Sequence, residues 1–455
     1  MNSSYFNTDD TITAIATPPG EGAISIVRIS GQASLSIVQK CYSKNIYKYK
    51  SHTVHYGQIL SEEKKIIDNV LILIMLAPKT YTGEDCIEIH CHGGTLITQK
   101  VLQRIINLGA RPANPGEFTF RAFLNKKIDL TQAEAVQQLI SAKNEQAMVH
   151  AENHLEGLLS KKILSFQDKL IDIAANIDAM VDFPEEDIDF STQNKIKKSL
   201  TDVINDMKIL KNTYHDGKVI FDGLNIGIIG TPNVGKSSLM NILLRKDRSI
   251  VTHIPGTTRD SIEDKIKIGP LYINLIDTAG IRTSQEIVEQ IGIEKSKKIL
   301  KQADLSILVL DSSKQLSKED YFLLDMVKKE KTIIVWNKID IANAKISLDF
   351  PNQVNISALK DLGIEILKEM IQKVIKNNSF SSKEEIIISE LRHKNSLTQA
   401  IDSCKLVISN LDNNISLEFI ADDIKHALTH LGNIIGINLT EDILTTIFSK
   451  FCIGK

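Results

Sequence analysis

Apolar and polar positions alternate in the first third of the chain, then recur every three or four residues in the middle and again at the end. Ile24 to Ile29, after the turn material Pro18-Pro19-Gly20, predicts a strand, and Cys86 to His92 predicts another. Val70 to Leu76 is apolar without a break and predicts a strand buried on both faces. Gly93-Gly94 leads into helical spacing from Leu96 to Leu108, and Ala113-Asn114-Pro115-Gly116-Glu117-Phe118 is turn chemistry with a helix start behind it. Thr131-Gln132-Ala133-Glu134 forms a capping-box pattern, after which helical spacing persists to Met180, as one long helix or two in series. Asp182-Phe183-Pro184-Glu185-Glu186-Asp187 stops it, and a further helix runs from Asn194 to Tyr214. Between residues 223 and 375 strands and helices alternate, as in a sheet of parallel strands. Helical spacing then returns over Leu391 to Leu411, Leu417 to Leu431 and Thr440 to Phe451.

This order predicts a multidomain α+β and α/β protein: a β-rich domain over 1–125, a helical part over 126–222, an α/β domain over 223–376 and a second helical part over 377–455. The α/β domain reads as an insertion that splits one helical domain; three successive domains are the alternative. Composition changes this picture little. Of 455 residues, 42% are hydrophobic and 24% charged, and a net charge of −2 excludes a chain-wide basic surface for nucleic acid. The five cysteines, Cys41, Cys86, Cys91, Cys404 and Cys452, are odd in number and scattered, which suits a reducing compartment. The N-terminus lacks a basic-then-apolar segment, and the apolar run Val70 to Ala77 is too short to cross a bilayer, so a cytoplasmic protein without a membrane anchor is expected.

The chemistry concentrates in Gly230 to Ser237, which reads G-T-P-N-V-G-K-S. It lies between the apolar run Leu224 to Ile229 and a helical stretch from Ser238 to Leu244, where a phosphate-binding loop belongs. Its glycines let backbone N–H groups curl around a phosphate; Lys236 reaches the β and γ phosphates, and Ser237 ligates Mg²⁺. Asp277-Thr278-Ala279-Gly280 follows the apolar run Leu271 to Ile276 and suits a loop that senses the γ-phosphate. Asn337-Lys338-Ile339-Asp340 follows the strand Thr332 to Trp336. There the carboxylate of Asp340 accepts from both the ring N–H and the exocyclic amine of guanine, a donor pair that adenine lacks. Asn337 positions this loop, Lys338 packs over the base, and Ser357-Ala358 supports the guanine from its other side. These elements, in order, predict an inserted Ras-like P-loop GTPase domain with GTP as substrate.

Gly256-Thr257-Thr258-Arg259-Asp260 reads as a switch loop, with Thr258 as the second protein ligand to Mg²⁺. Ile281 stands where Ras-like enzymes place a water-orienting Gln. Another group must take that role; Glu289, at the start of the helix after the switch, is the best nearby carboxylate, either catalytic or a solvated helix-face charge, and Arg282 either orders the switch or is a surface charge. Asn233 either holds a monovalent cation against the phosphates, with carbonyls from Thr252 to Thr257, or only shapes the loop.

With these motifs in place, the chain resembles the bacterial tRNA-modification GTPase family MnmE (TrmE), a branch of the TrmE-Era-EngA-like P-loop GTPases, from end to end. The carrying residues are Ala16-Thr17-Pro18-Pro19-Gly20, Thr82-Gly83-Glu84-Asp85, Gly93-Gly94, Pro115-Gly116-Glu117-Phe118, Arg121-Ala122-Phe123-Leu124-Asn125, Asp182-Phe183-Pro184, the GTPase motifs and the terminal Phe451-Cys452-Ile453-Gly454-Lys455. The resemblance implies a folate-binding, dimerising N-terminal domain and a homodimer that assembles with the FAD-dependent partner MnmG, two copies of each, acting on tRNA. The implied product is a wobble uridine carrying an aminomethyl or carboxymethylaminomethyl group on carbon five, with formyl- or methylene-tetrahydrofolate as one-carbon source. The implied nucleotide contacts are Asn233-Val234-Gly235-Lys236-Ser237-Ser238, Thr252-His253-Ile254-Pro255-Gly256-Thr257-Thr258, Asp277-Thr278-Ala279-Gly280, Asn337, Lys338, Asp340, Ser357 and Ala358. Asn233, Thr252, Ile254 and Thr257 match K⁺ ligands, Ser237 and Thr258 match Mg²⁺ ligands, and Glu289 matches the catalytic glutamate. Arg28, Glu88, Lys127 and Lys455 match the folate site, where Glu88 suits the pterin amine and the basic groups suit carboxylates.

Cys86, His90, Cys91 and His92 look metal-like, but a strand sends Cys91 to the opposite face from the others, and the spacing fits no zinc pattern. Cys452 invites a nucleophile reading that nothing in the sequence activates. A GTP-timed ribosomal RNA assembly factor without covalent RNA chemistry, and a folate-dependent transferase with a regulatory GTPase domain, are the rival readings.

Overall fold

Period-two alternation builds the first sheet. The computed structural model describes residues 9–182, 190–247, 264–269, 271–276, 297, 299–342, 348–377, 385–413, 415–437 and 439–455. Strands β1 (Ile12–Ile15), β2 (Ile24–Ser30), β3 (Thr53–Leu60), β4 (Ile66–Met75), β5 (Cys86–His92) and β6 (Arg111–Pro112) lie in the order β3-β4-β5-β2-β1-β6. All these pairs are antiparallel except β1 with β6. Val27, Ile29, Val70, Ile72, Ile74, Ile87, Ile89 and Cys91 share one face, packed with Ile37 and Val38 of α1 (Ser34–Gln39) and Val101 and Ile105 of α2 (Thr95–Asn107). The run at Val70 is therefore buried on one face and not on both. Leu71 remains 43% exposed and its cross-strand neighbour Tyr56 59% exposed, because the covering helices pack against the other side.

Helix α3 (Glu117–Leu124) closes this region, and its Phe120 joins Leu130, Leu444, Phe448 and Phe451 in a second cluster. The stretch from 130 to 182 forms three helices, α4 (Leu130–Ser141), α5 (Glu145–Leu155) and α6 (Leu158–Asp182), one more than the spacing predicts. Asn144 opens α5 by accepting from the Ala147 N–H at 2.7 Å, a local cap that apolar periodicity does not register. The cap of α4 also sits upstream of the predicted one. Asp129 Oδ1 accepts from the Gln132 N–H at 3.0 Å, and Gln132 Oε1 accepts from the Asp129 N–H at 3.0 Å. Aspartate caps at least as well as threonine and glutamine can reciprocate; the Thr131 hydroxyl donates to the same Asp129 Oδ1 at 2.8 Å and lies 2.7 Å from the Ser160 hydroxyl. Helices α7 (Phe190–Asn212) and α8 (Tyr214–Asp222) follow; the second was not legible in the sequence.

The α/β sheet has the order β12-β11-β10-β7-β9-β8, with β7 (Leu224–Ile229), β8 (Asp264–Ile268), β9 (Leu271–Ile276), β10 (Leu305–Asp311), β11 (Thr332–Asn337) and β12 (Gln353–Asn355). Its strands pair in parallel except β8, which forms an antiparallel edge with β9, so the sheet is mixed and not wholly parallel as predicted. Helix α9 (Lys236–Asp247) follows β7, α10 (Lys318–Met326) follows β10, and α11 (Ile364–Asn377) follows β12. Ile228, Ile307, Val309, Ile333 and Val335 pack with Ile364, Leu367 and Ile371 of α11 on one face. Ile229, Leu308, Leu310, Ile334 and Trp336 pack with Leu323 and Leu324 of α10 on the other. The last helices are α12 (Leu391–Asp412), α13 (Leu417–Ile435) and α14 (Glu441–Phe448).

Two compact units result. One comprises Met1–Ile140, Glu152–Asn205 and Ser396–Lys455; the other comprises Ser141–Ala151 and Asp206–Asn395. Within the first, α13 lies on α6, where Gln167 Nε2 donates to the Leu428 carbonyl at 3.1 Å. Among the described residues no helix is long and apolar enough to cross a membrane.

Candidate functional site

Parallel βα units leave the strand C-termini facing one end of the sheet, and there the motifs of the second unit converge. The turn after β7 delivers Gly230 to Gly235, and α9 begins at Lys236. Lys236 Nζ donates to the carbonyls of Gly230 at 2.9 Å and Thr231 at 2.7 Å, so its ammonium lies against the loop it is expected to complete. Asn233 is left-handed, φ 64°, a conformation that asparagine tolerates better than most residues. Thr231 is tethered through its hydroxyl to Asp320 Oδ1 at 3.0 Å; Asp320 also caps α10 with Ser317.

The loop after β11 is bound to the phosphate loop. Asn337 Nδ2 donates to the Val234 carbonyl at 2.8 Å, while its Oδ1 accepts from the Ala358 N–H at 2.9 Å. One buried side chain thus joins Val234, Asn337 and Ala358. Gly235 makes this approach possible: at φ 100°, a Cβ there would lie 2.2 Å from Asn337 Nδ2. Lys338 Nζ donates to the Asn233 carbonyl at 2.8 Å and pairs with Asp311 at 2.7 Å. Asp340 accepts from the Ser357 hydroxyl at 2.6 Å, and that bond holds its carboxyl below the usual carboxylate range. The carboxylate is thus kept ionised, as an acceptor for two N–H donors must be.

Ser237 and Ser238 lie exposed in the first turn of α9, where a phosphate and its counter-ion are favoured. The donor set fits a nucleotide with Mg²⁺ at Ser237: a glycine-lined cradle, an ammonium and a carboxylate able to accept from an N–H pair. Thr252, His253, Ile254, Pro255, Gly256, Thr257, Thr258, Asp277, Thr278, Ala279, Gly280, Arg282 and Glu289 lie outside the described residues. Periodicity and motif matching missed Asp311, Ser312 and Asp320; the trace they leave is a polar residue ending the apolar run Leu305 to Leu310 and a Ser-x-x-Asp cap ahead of α10.

A second constellation forms in the first unit. The register sets Arg28 of β2 opposite Glu88 of β5. Arg28 Nε donates to Glu88 Oε1 at 2.9 Å, and another guanidinium nitrogen donates to the Gly454 carbonyl at 3.1 Å. The guanidinium lies 5.7 Å from the centroid of the Phe118 ring. Burial and the nearby Arg28 charge lower the pKa of Lys455, with Glu88 opposing. Arg28, Glu88 and Lys455 therefore share one neighbourhood: a carboxylate flanked by two cations, which fits a heterocycle with N–H donors and an anionic tail. Lys127 is tied elsewhere, its Nζ donating to the Pro78 carbonyl at 3.0 Å. The terminal tail is locked into the site, since the Gly116 N–H donates to the Cys452 carbonyl at 3.2 Å. Cys452 is exposed, whereas Cys41, Cys86, Cys91 and Cys404 are buried.

The metal-like cluster on β5 comes apart. Cys91 lies in the core with Ile87 and Ile89, His92 Nδ1 pairs with Asp68 at 2.7 Å, and burial pushes the Cys86 thiol up to about 12. Among the described residues no group of three or more His, Cys, Asp and Glu could hold a metal ion.

Residues 11–127 match the family model of the GTP-binding protein TrmE N-terminus, and residues 130–452 match that of the MnmE helical domain. The tRNA modification GTPase MnmE of Protochlamydia amoebophila (strain UWE25) is 52% identical over 447 residues, covering 98% of each chain. That of Clostridioides difficile (strain 630) is 44% identical over 457 residues, 98% of this chain and 99% of the relative. The solved G domain of the T. maritima FeoB iron transporter is 31% identical over 33% of this chain and 98% of its own, with a TM-score of 0.25. Two domain models matching almost the full length, and relatives that align from end to end, make this chain a member of the MnmE (TrmE) family of tRNA modification GTPases.

Proposed function

We propose that the protein is a K⁺-stimulated GTPase that, with an FAD-dependent partner of the MnmG kind, modifies carbon five of the wobble uridine of certain tRNAs. The group added is aminomethyl or carboxymethylaminomethyl, and a tetrahydrofolate derivative supplies its one-carbon unit. The observation that carries the reading is the double tie between the base loop and the phosphate loop, Asn337 to Val234 and Lys338 to Asn233, in a chain aligned with tRNA modification GTPases over 98% of its length.

Asp340 selects the base, because ATP would leave its carboxylate facing no donor pair; such sites discriminate by on the order of 10⁴-fold. Lys236, already drawn against the loop carbonyls, exchanges those bonds for phosphate oxygens. Ser237 and Thr258 would hold Mg²⁺, and Asn233, Thr252, Ile254 and Thr257 would hold K⁺; these cations would supply positive charge where negative charge develops between the β and γ phosphates. Glu289 orients the attacking water in place of the glutamine that Ile281 replaces, and Arg282 helps order the switch. Arg28, Glu88 and Lys455 receive the folate, Glu88 at the pterin amine and the cations at its carboxylates; Cys452 is the candidate for covalent chemistry on the uracil ring. The exposed strand face around Tyr56 and Leu71 supports homodimerisation, and two copies of each partner form the working complex. A ribosomal assembly factor would account for the nucleotide loops but gives no role to the pairing of Arg28 with Glu88 and the tail.

Nucleoside analysis of tRNA from a deletion strain tests the reading: loss of the modified wobble uridine is expected, and an unchanged nucleoside profile would refute it. At the level of the nucleotide site, hydrolysis is expected to run at least tenfold faster in K⁺ than in Na⁺, a barrier difference of about 1.4 kcal/mol. Equal rates in the two salts would remove Asn233 from the mechanism.

A further inference from the structure

We propose that Asp311 is a positioning residue for guanine-nucleotide binding, holding Lys338 as the bridge between the base loop and the phosphate loop. The inference rests on reading this site as a guanine-nucleotide pocket. Asp311 ends β10, and the parallel register sets it beside Asn337 of β11, one residue before Lys338. Its carboxylate is almost wholly committed. Oδ2 lies 2.7 Å from Lys338 Nζ, and Oδ1 accepts from the Ser313 N–H at 3.0 Å and the Ser313 hydroxyl at 2.6 Å. The side chain is 8% exposed. Burial raises its pKa, but Lys338 and Ser313 outweigh that effect and keep it ionised.

An exposed lysine samples many rotamers about its four-carbon stem. Here the ammonium is caught between two fixed acceptors, the Asp311 carboxylate and the Asn233 carbonyl, so the stem has a single course across the pocket mouth. The backbone of Lys338 is left-handed, φ 69°, and the neighbouring Ser312 steadies it. Ser312 donates its N–H and its hydroxyl to the Asn337 carbonyl, at 2.9 and 2.8 Å. Asp311-Ser312-Ser313 is thus a platform under the base loop, and Asp311 is the member that carries charge. Without it, Lys338 turns to solvent, the Asn233 carbonyl loses its donor, and the nucleotide must order both loops as it binds.

The test measures binding of a fluorescent GDP analogue to the full-length chain, because that binding needs no hydrolysis. Asp311→Asn keeps the shape and the Ser313 acceptor but removes the charge. It is expected to raise the dissociation constant about tenfold, the loss of one charge-assisted hydrogen bond, with the thermal midpoint of the nucleotide-free protein unchanged. Lys338→Ala is expected to weaken binding as well, and the double variant no further than Lys338→Ala alone. Asp311→Glu, which keeps the charge, is expected to stay within about threefold of wild type and serves as the second test should Asp311→Asn fail to fold. Wild-type affinity in Asp311→Asn, losses that multiply in the double variant, or a loss in Asp311→Glu as large as that in Asp311→Asn would each overturn the inference. A wild-type protein that binds no GDP analogue would overturn the guanine-nucleotide reading itself.

Discussion

Arg121 is 1% exposed, and among the described residues it is the largest fully buried side chain. It sits on α3 one turn after Glu117, which is 0% exposed, and also reaches Asp10 and Glu84. Arg111 pairs with the same two carboxylates, Asp10 and Glu117. The motif residues Glu117 and Arg121 belong, with Arg111 and Asp10, to an internal ion network that fixes the N-terminal strands. Arg121→Ala would take one of its two guanidinium partners from the buried Glu117 carboxylate while Arg111 stays in place, at a cost of roughly 1.5–3 kcal/mol, measurable as a lowered urea midpoint. A midpoint within error of wild type would show that the network does not stabilise the fold. The pH dependence has a definite sign. Burial raises the Asp10 pKa, but Arg111 and Arg121 outweigh it and hold the carboxyl below its ordinary value. That depressed pKa contributes stability present above the unfolded value of about 3.9 and lost as pH falls through the folded one. The acid limb of a thermal-midpoint profile is therefore expected to be shallower in Arg121→Ala.

The C-terminal segment shows how one helix and its tail make a site. Helix α14 anchors through Phe448, whose ring packs edge-on against Phe120 of α3 at 5.1 Å. The tail that follows then reaches β1, where Gly454 is left-handed at φ 90° and a Cβ would lie 2.4 Å from the Ile15 carbonyl. Gly454→Ala is expected to release the tail, withdraw an acceptor from Arg28 and weaken the folate binding proposed for this site by on the order of tenfold. Faster removal of Lys455 by carboxypeptidase, with an unchanged thermal midpoint, would mark the effect as local; unchanged digestion would mean that the tail is held by other contacts. This arrangement was legible as a motif and not as a geometry. Phe451 to Lys455 stand out in the sequence, but that their partners are Arg28, Ile15 and Gly116 follows from contacts spanning more than 300 residues.

Association is the property that the exposed side of the first sheet bears on. Val54, Tyr56, Leu71 and Ile24 are each more than 40% exposed, on strands whose other face forms a closed core. Leu71→Asp would place a charge in the middle of that face and is expected to convert a dimer to a monomer in sedimentation, with GDP binding retained. A wild-type chain that sediments as a monomer would defeat the dimer reading; a Leu71→Asp chain that remains dimeric would locate the contact elsewhere.

Local order fixed much of this protein in advance. The phosphate loop, the base loop and most strands follow from spacing and glycine placement, because a βα turn that binds phosphate needs those residue types next to one another in the chain. The Asn337 clamp on Val234, the Lys338 anchor at Asp311, the one-sided burial of β4 and the meeting of Arg28, Glu88 and Lys455 needed the folded chain. Each depends on strand register or on packing between distant segments, and an amphipathic period carries neither.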